Sequence, residues 1–281
     1  MKIKAVRRPE TPEQARDWAR ELGEQALYVA GGTGLHFMTD PAEMVAIPLD
    51  RIGLRGVECS GRHYRIGALT PLADVMNYRA ERWAFHETGR RTATHQIRNI
   101  STVGGNICRV FPWCDLPVAL LALEATMVLL GDDGYAVPAD DYFASQPARR
   151  LANGDLLLAV DVPVLEAHMG FGYRKEVICH SGFSLMTVAA RLRLEGDRIR
   201  DARVAAGAAL PFPARLKQVE ALLADQPATP DTFARAATEG VREVAWKGRE
   251  DWSDAYAAHA AAIAVRDALD RALTFARRRD W

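Results

Sequence analysis

Three glycines and a threonine follow a short apolar run in YVAGGTGLHF, residues 28–37, and a second glycine pair stands in STVGGNI, residues 101–107. Glycine supplies bare backbone. Amides exposed in a glycine turn form a concave nest for an anion, and the missing Cβ lets a phosphate approach closely. Neither stretch is a common nucleotide motif. The dinucleotide fingerprint G-x-G-x-x-G needs a third glycine where this chain has Phe37, and a Walker loop needs Gly-Lys-Ser/Thr where residues 28–37 hold no lysine. Alone, each stretch reads more simply as a tight turn between strands. As a pair in one chain, each with hydroxyl residues, paired glycines and then an apolar residue, they read as two nests for the two phosphates of a dinucleotide.

Other groups able to do chemistry are sparse. Cys108 and Cys114 bracket RVFPW directly after the second stretch, a spacing unlike the C-x-x-C of zinc sites or the cysteine runs of iron–sulfur clusters. With Cys59 and Cys179 there are four cysteines, too few in a chain this long for a disulfide framework, and free thiols are the expectation. The seven histidines form no H-x-x-x-H pair, and His95 is expected to be structural. No nucleophile–base pair suggests a hydrolase.

The elements that must position the two stretches can be traced along the chain. Residues 2–6 alternate as a strand, Thr11-Pro12-Glu13 starts a helix that stops at Gly23, and ALYVA is a strand running into the first glycines. MVAIPLDRI forms another strand, and RHYRIGAL a further one. TPLADVMNYRAERWAFHETG is expected as one helix capped by Thr70, with Pro71 at its first position. DLPVALLALEATMVLLG passes from buried helix to strand, DDG at 132–134 is a hairpin turn, and LLLAVDVP is a strand ending at Pro163. Thereafter FGYRKEV and SLMTVAARLRLEGDRIRDARVAAGAAL give three antiparallel strands. From Pro213 onward the chain is alanine-rich and helical.

Composition bounds the rest. A chain of 281 residues with 49% hydrophobic content can bury about two domains of roughly 100 to 200 residues each. Lys plus Arg and Asp plus Glu balance at 36 each, so no overall basic field exists to hold a nucleic acid or an anionic membrane. The basic FARRRDW, residues 275–281, is expected to be a solvated tail rather than a binding patch. The amino terminus lacks the apolar core of a secretory signal and no run approaches the ~18 apolar residues of a membrane span, which points to a cytoplasmic protein.

AGGTGL, Ala30 to Leu35, taken with IRNISTVGGNI, Ile97 to Ile107, resembles the FAD-binding subunit of the molybdenum hydroxylases, the family of xanthine dehydrogenase, aerobic carbon monoxide dehydrogenase and 4-hydroxybenzoyl-CoA reductase. YRIGALTPLADV, PWCDLPVALLALEA, LLLAVDVP, GYRKE and SDAYAAHAAAIAVRDALDRAL follow in the family's order, so the likeness spans essentially the whole chain. It implies an α+β fold: a two-part FAD-binding domain of the PCMH type over residues 1–168, with subdomains 1–57 and 58–168, then a small antiparallel sheet with helices over 169–281. It also implies that Ala30, Gly31, Gly32, Thr33, Gly34 and Leu35 cradle one side of the FAD pyrophosphate through backbone groups, and Thr102, Gly104, Gly105 and Asn106 the other. Asp115 would hydrogen-bond toward the flavin nucleotide, or cap the helix that follows it, or both. Lys175 would lie near the isoalloxazine, or be a surface lysine. Leu157 would touch the ring, or serve as plain strand core.

Two departures stand out. The family usually places Asp, Asn or Ser after GGT, where this chain has Gly34, and the strand after Lys175 usually carries charges where this chain reads ICHSGFSLM, with His180 and Phe183. The inserted cysteine-rich loop that carries an extra four-iron cluster in some relatives is absent from the sequence, so no metal site is expected on this chain. The function implied is an electron-transfer subunit carrying FAD, partnered by a molybdopterin-binding large subunit and a two-iron two-sulfur small subunit, as a dimer of heterotrimers. Catalytic acid–base residues are not required of such a chain, because the cofactor carries the redox chemistry. The alternatives are a stand-alone FAD oxidoreductase of the same fold and a flavin-free assembly subunit.

Overall fold

A computed structural model describes residues 2–38, 42–89, 92–145, 147–179, 182–249 and 252–278; His180 lies outside them. In chain order the elements begin with β1 (Lys2–Val6), α1 (Pro12–Leu22), β2 (Ala26–Val29), β3 (Glu43–Pro48), β4 (Val57–Ser60) and β5 (His63–Gly67). Next come α2 (Leu72–Asn77), α3 (Phe85–Gly89), α4 (His95–Ile100), α5 (Val103–Cys108) and α6 (Leu116–Ala122). They are followed by β6 (Thr126–Leu130), β7 (Gly134–Pro138), α7 (Ala139–Ala144), α8 (Pro147–Ala152) and β8 (Leu156–Pro163). The last part holds β9 (Met169–Glu176), β10 (Met186–Glu195), β11 (Arg198–Gly207), β12 (Ala214–Arg215), α9 (Lys217–Leu223), α10 (Pro230–Gly240) and α11 (Asp254–Arg277).

Packing divides the chain into two compact units that interleave in sequence. The first holds Met1–Tyr78, Thr94–Val110 and Ala125–Val162; the second holds Arg79–Ala93, Phe111–Glu124 and Pro163–Trp281. This grouping by contacts differs from a contiguous division at residue 168, since α3 and α6 pack with the C-terminal elements.

In the first unit, β1, β3 and β2 form a parallel sheet in that order. Thr11 caps α1 by accepting the Gln14 amide, and Pro12 opens the helix where a missing N–H costs nothing. Ala15 and Ala19 of α1 pack with Ile47, Leu49, Ile52, Leu69, Leu130 and Leu156 into one core cluster. A five-stranded sheet in the order β4-β5-β8-β6-β7 completes the unit. Arg20 pairs with Asp132 and Asp155, and the Tyr28 hydroxyl donates to the Gly154 carbonyl at 2.8 Å, tying α1 and β2 to the loops of that sheet.

One expected helix is corrected. Residues 70–89 do not form a single helix: α2 ends at Asn77, and α3 starts only at Phe85, beyond Arg82 at φ 57°. The Thr70 hydroxyl caps nothing, because it accepts the Gly56 amide and donates to the Gly56 carbonyl, each at 3.0 Å. The chain leaves the first unit at Tyr78, and Trp83 and Phe85 are buried in the second, so the two helical halves serve different cores.

In the second unit, β12, β11, β10 and β9 form an antiparallel sheet in that order, one short strand more than the three expected. Helix α11 lies against β9 and β10, and a Cβ added at Gly170 or Gly172 of β9 would stand 1.9 Å from the Ala272 carbonyl or 2.0 Å from the Ala268 carbonyl. Strand glycines and helix alanines together bring the two backbones into direct contact. On the same sheet α6 packs against β10 and β11, and all seven of its residues are buried. Arg191, itself buried, bonds Glu124 at 2.7 Å and Asp201 at 2.5 Å, so the end of α6 is held to β10 and β11 by charge as well. No helix among the described residues is long and apolar enough to cross a membrane.

Candidate functional site

The first glycine stretch is built by an unusually close approach of two backbones. β2 delivers the chain at Val29, whose carbonyl accepts the Leu49 amide at 2.9 Å. Gly31 then passes the end of α4 so closely that an added Cβ would lie 2.0 Å from the Ile100 carbonyl oxygen and 3.2 Å from Ser101 Cα. Gly32 has φ 72°, in the left-handed region, whereas Gly34 has φ −93° and ψ −7°, which any residue adopts. The Gly32 carbonyl accepts the Leu35 amide and the Gly34 carbonyl accepts the Phe37 amide, closing a single 3₁₀ turn over Leu35–Phe37. Among the described residues the amides of Gly31, Gly32, Thr33 and Gly34 have no acceptor. Four successive donors without acceptors make an anion nest.

The second stretch has a different form from the tight turn that the glycine pair alone suggests. Thr102 caps α5, its hydroxyl accepting the Gly105 amide at 3.0 Å, and both glycines sit in the helix's first turn. The amide of Val103 donates to the Thr70 carbonyl, that of Gly104 to Ala68 at 2.7 Å, and that of Asn106 to Thr102 at 3.1 Å. Hence the amides of 103–106 are engaged within the protein, and what this stretch can offer a ligand is side-chain chemistry and the exposed, bare Cα of Gly105. Asn106 Oδ1 is buried without a hydrogen-bond partner, a costly state that a ligand contact would relieve. A carboxamide presents either its oxygen or its NH₂ group by turning about χ2, so Asn106 can meet an anion as a donor.

The two stretches meet. Thr33 Oγ1 and Ser101 Oγ are 2.8 Å apart, and Gly31 rests on Ile100 and Ser101. Neither stretch carries a carboxylate. Unengaged amides, hydroxyls and a carboxamide, on two stretches without a carboxylate of their own, fit the pyrophosphate of a dinucleotide.

Asp115, Lys175 and Leu157 are each buried. Within the second unit Lys175 Nζ donates to Asp115 Oδ2 at 2.9 Å and the Tyr173 hydroxyl donates to Asp115 Oδ1 at 2.6 Å; both charged side chains are 4% exposed. This corrects two sequence alternatives: Lys175 is no surface lysine, and the Asp115 side chain makes no capping bond to α6, because its oxygens are turned to β9. Leu157 is core on β8, paired with Leu129 of β6. The fully buried Tyr173 was not singled out from the sequence. Its signal was the alternation of GYRKE, which puts Tyr173 and Lys175 on one face of β9.

Around Asp115 the second unit carries an aromatic run. Trp113 stacks on Phe111 at 5.1 Å between ring centroids and packs on Phe183 at 4.5 Å, and the Arg249 guanidinium lies 5.5 Å above the Trp113 ring. Phe183 is exposed. The thiols differ by environment: burial pushes Cys108 up to about 11 and Cys114 up to about 12, while Cys59 and Cys179 are exposed. Among the described residues no group of three or more His, Cys, Asp or Glu stands close enough to hold a metal.

The glycine cradle in a chain of two interleaved α+β units defines a dinucleotide-binding class, and comparison with known proteins specifies a flavin. Residues 2–165 match the model of the FAD binding domain in molybdopterin dehydrogenase, and residues 173–272 that of the CO dehydrogenase flavoprotein C-terminal domain. The chain belongs to the FAD-binding medium-subunit family of the molybdenum hydroxylases, with FAD as its cofactor. It is 32% identical over 171 residues to the glyceraldehyde dehydrogenase medium chain of Sulfolobus acidocaldarius, a match covering 59% of this chain and 60% of that one. Against the nicotine 6-hydroxylase medium subunit of Paenarthrobacter nicotinovorans it is 28% identical over 258 residues, 88% of this chain and 89% of the relative. Carbon monoxide dehydrogenase from Hydrogenophaga pseudoflava superposes with a TM-score of 0.90 at 27% identity, covering 96% of this chain and 97% of that one.

Proposed function

We propose that this chain is the electron-transfer subunit of a cytoplasmic, multi-subunit molybdenum-containing dehydrogenase, working beside a molybdopterin-binding large subunit and a two-iron two-sulfur small subunit in a dimer of heterotrimers. The observation that carries this reading is the cradle: four successive amides, from Gly31 to Gly34, without acceptors among the described residues, with Gly31 held against Ile100 and Ser101, and, on the second stretch, an Asn106 Oδ1 buried without a partner. Bound FAD supplies the ability to take electrons from one partner and pass them to an external acceptor.

The chain's own residues bind and orient. The nest amides of Gly31, Gly32, Thr33 and Gly34 would donate to phosphate oxygens, with Ala30 and Leu35 fixing the ends of the stretch. Thr102 and Gly104 would act indirectly, by capping α5 and docking it on Ala68, while Gly105 leaves room and Asn106 donates. Asp115, Leu157 and Lys175, which the family resemblance also assigns to the cofactor, are buried, so their part is to fix the backbone of their own units. Relatives named for glyceraldehyde, carbon monoxide and nicotine share this type of chain, which fits a substrate site on another subunit.

The test is native mass spectrometry of the complex purified from its source, with cofactors released. One FAD per copy of this chain, together with a molybdenum-containing large chain and an iron–sulfur chain, is the expected result. FAD on a chain that purifies alone would support a stand-alone oxidoreductase instead, and a colourless chain that takes up no FAD would reduce it to an assembly subunit.

A further inference from the structure

The two hydroxyls at the join between the glycine stretches hold more hydrogen-bonding capacity than their mutual contact uses. Thr33 Oγ1 and Ser101 Oγ are 2.8 Å apart and partly buried, and either atom can be the donor. Each hydroxyl carries one proton, so the bond between them uses one and leaves the other. The hydroxyl that accepts is polarised by doing so, which strengthens its own O–H as a donor. Both groups stand at the nest: Thr33 lies within the run of unengaged amides, and Ser101 Cα is 3.2 Å from where a Cβ on Gly31 would be. From Gly31 to Leu35 no side chain other than Thr33 can form a hydrogen bond. Position 34 has a right-handed backbone conformation open to any residue, and as glycine it offers no polar side chain.

We propose that Ser101, coupled to Thr33, is a binding residue for the cofactor's pyrophosphate. The pair keeps one proton between its oxygens and delivers the other to a phosphate oxygen. The second stretch therefore contributes side-chain donors, Ser101 and Asn106, in place of amides that are engaged elsewhere. This rests on the flavin reading above and adds a binding residue at the start of the second stretch, ahead of its capping threonine and its glycines.

A competing account makes the hydroxyl pair a mechanical staple with no contact to ligand, and a double-mutant cycle separates the two. The full chain, freed of flavin, is titrated with FAD by flavin fluorescence as wild type, Ser101→Ala, Thr33→Val, the double variant and Ser101→Thr. Circular dichroism checks the fold of each. Each single variant keeps one hydroxyl proton and should weaken FAD binding a few-fold. The double variant keeps none and should fall by roughly ten- to a hundred-fold, the worth of a hydrogen bond to a charged group. Ser101→Thr should stay within about two-fold of wild type, since it retains the hydroxyl. A staple is broken fully by either single change, so a double variant no weaker than the weaker single overturns the proposal. If the double variant fails to fold, Ser101→Cys with Thr33→Val, which leaves only a weak S–H donor, replaces it under the same expectation. Wild type that binds no FAD overturns the flavin reading and this proposal together; wild type that binds FAD beside an unaffected double variant overturns this proposal alone.

Discussion

At the scale of the residue, three glycines in one short motif stand in three different situations. Gly31 is required by an oxygen atom 2.0 Å from its missing Cβ, Gly32 by its positive φ, and Gly34 by neither its φ nor its ψ. Gly31→Ala is expected to push the loop off Ile100 and abolish FAD retention, read as the ratio of flavin to protein absorbance. Gly32→Ala should cost the ~1–2 kcal/mol of a left-handed alanine in a denaturant titration. Gly34→Ser should leave the melting temperature within roughly 2 °C. The thiols offer an independent check. Iodoacetamide at pH 8 should modify Cys59 and Cys179 first, because half-buried Cys108 and buried Cys114, pushed up to about 11 and about 12, remain protonated; peptide mass mapping over time reads the order. The glycine motifs were legible because glycine has few competing uses in such density. Ser101 was not, since a single hydroxyl has a meaning only once Thr33 is known to face it.

At the scale of the element, backbone contact rather than side-chain volume shapes the second unit. Gly172→Ala would set a methyl group 2.0 Å from the Ala268 carbonyl, so β9 and α11 must separate. A loss above about 3 kcal/mol in urea unfolding is expected, beyond ordinary overpacking because a helix backbone cannot swing aside. The buried pair behaves differently. Lys175→Met leaves the Asp115 carboxylate in the core with Tyr173 and should cost about 3–5 kcal/mol, and adding Asp115→Asn should return part of it. Strand and helix periodicity made most elements readable, including the three long strands and the alanine-rich α11. The helix expected over 70–89 failed because an apolar period does not say which core receives it. Its first half follows the first unit and its second half the second. The second glycine stretch was placed correctly in the chain but misread in form, because a cap by Thr102 at the start of a six-residue helix looks in sequence like any hydroxyl before a turn.

At the scale of the molecule, cofactor and fold are linked. FAD at a hundredfold its dissociation constant should raise the unfolding free energy by about 2.7 kcal/mol, checked by thermal denaturation over a FAD series. Isolating the cofactor domain by truncation should fail. A fragment of residues 1–165 keeps α6, buried along its whole length, but lacks β10 and β11 that cover it, and is expected to elute as aggregate in size-exclusion chromatography. The interleaving also constrains how the protein is made. The chain passes from one unit to the other at Tyr78, returns at Thr94, leaves again at Val110, returns at Ala125 and leaves for the last time at Val162. On the ribosome α6 emerges well before β10, a delay on the order of several seconds at roughly 5 to 20 residues per second. During that interval an apolar helix waits without its sheet, so stalled nascent chains ending between α6 and β10 are expected to bind chaperones more than the full-length chain does, read by co-precipitation.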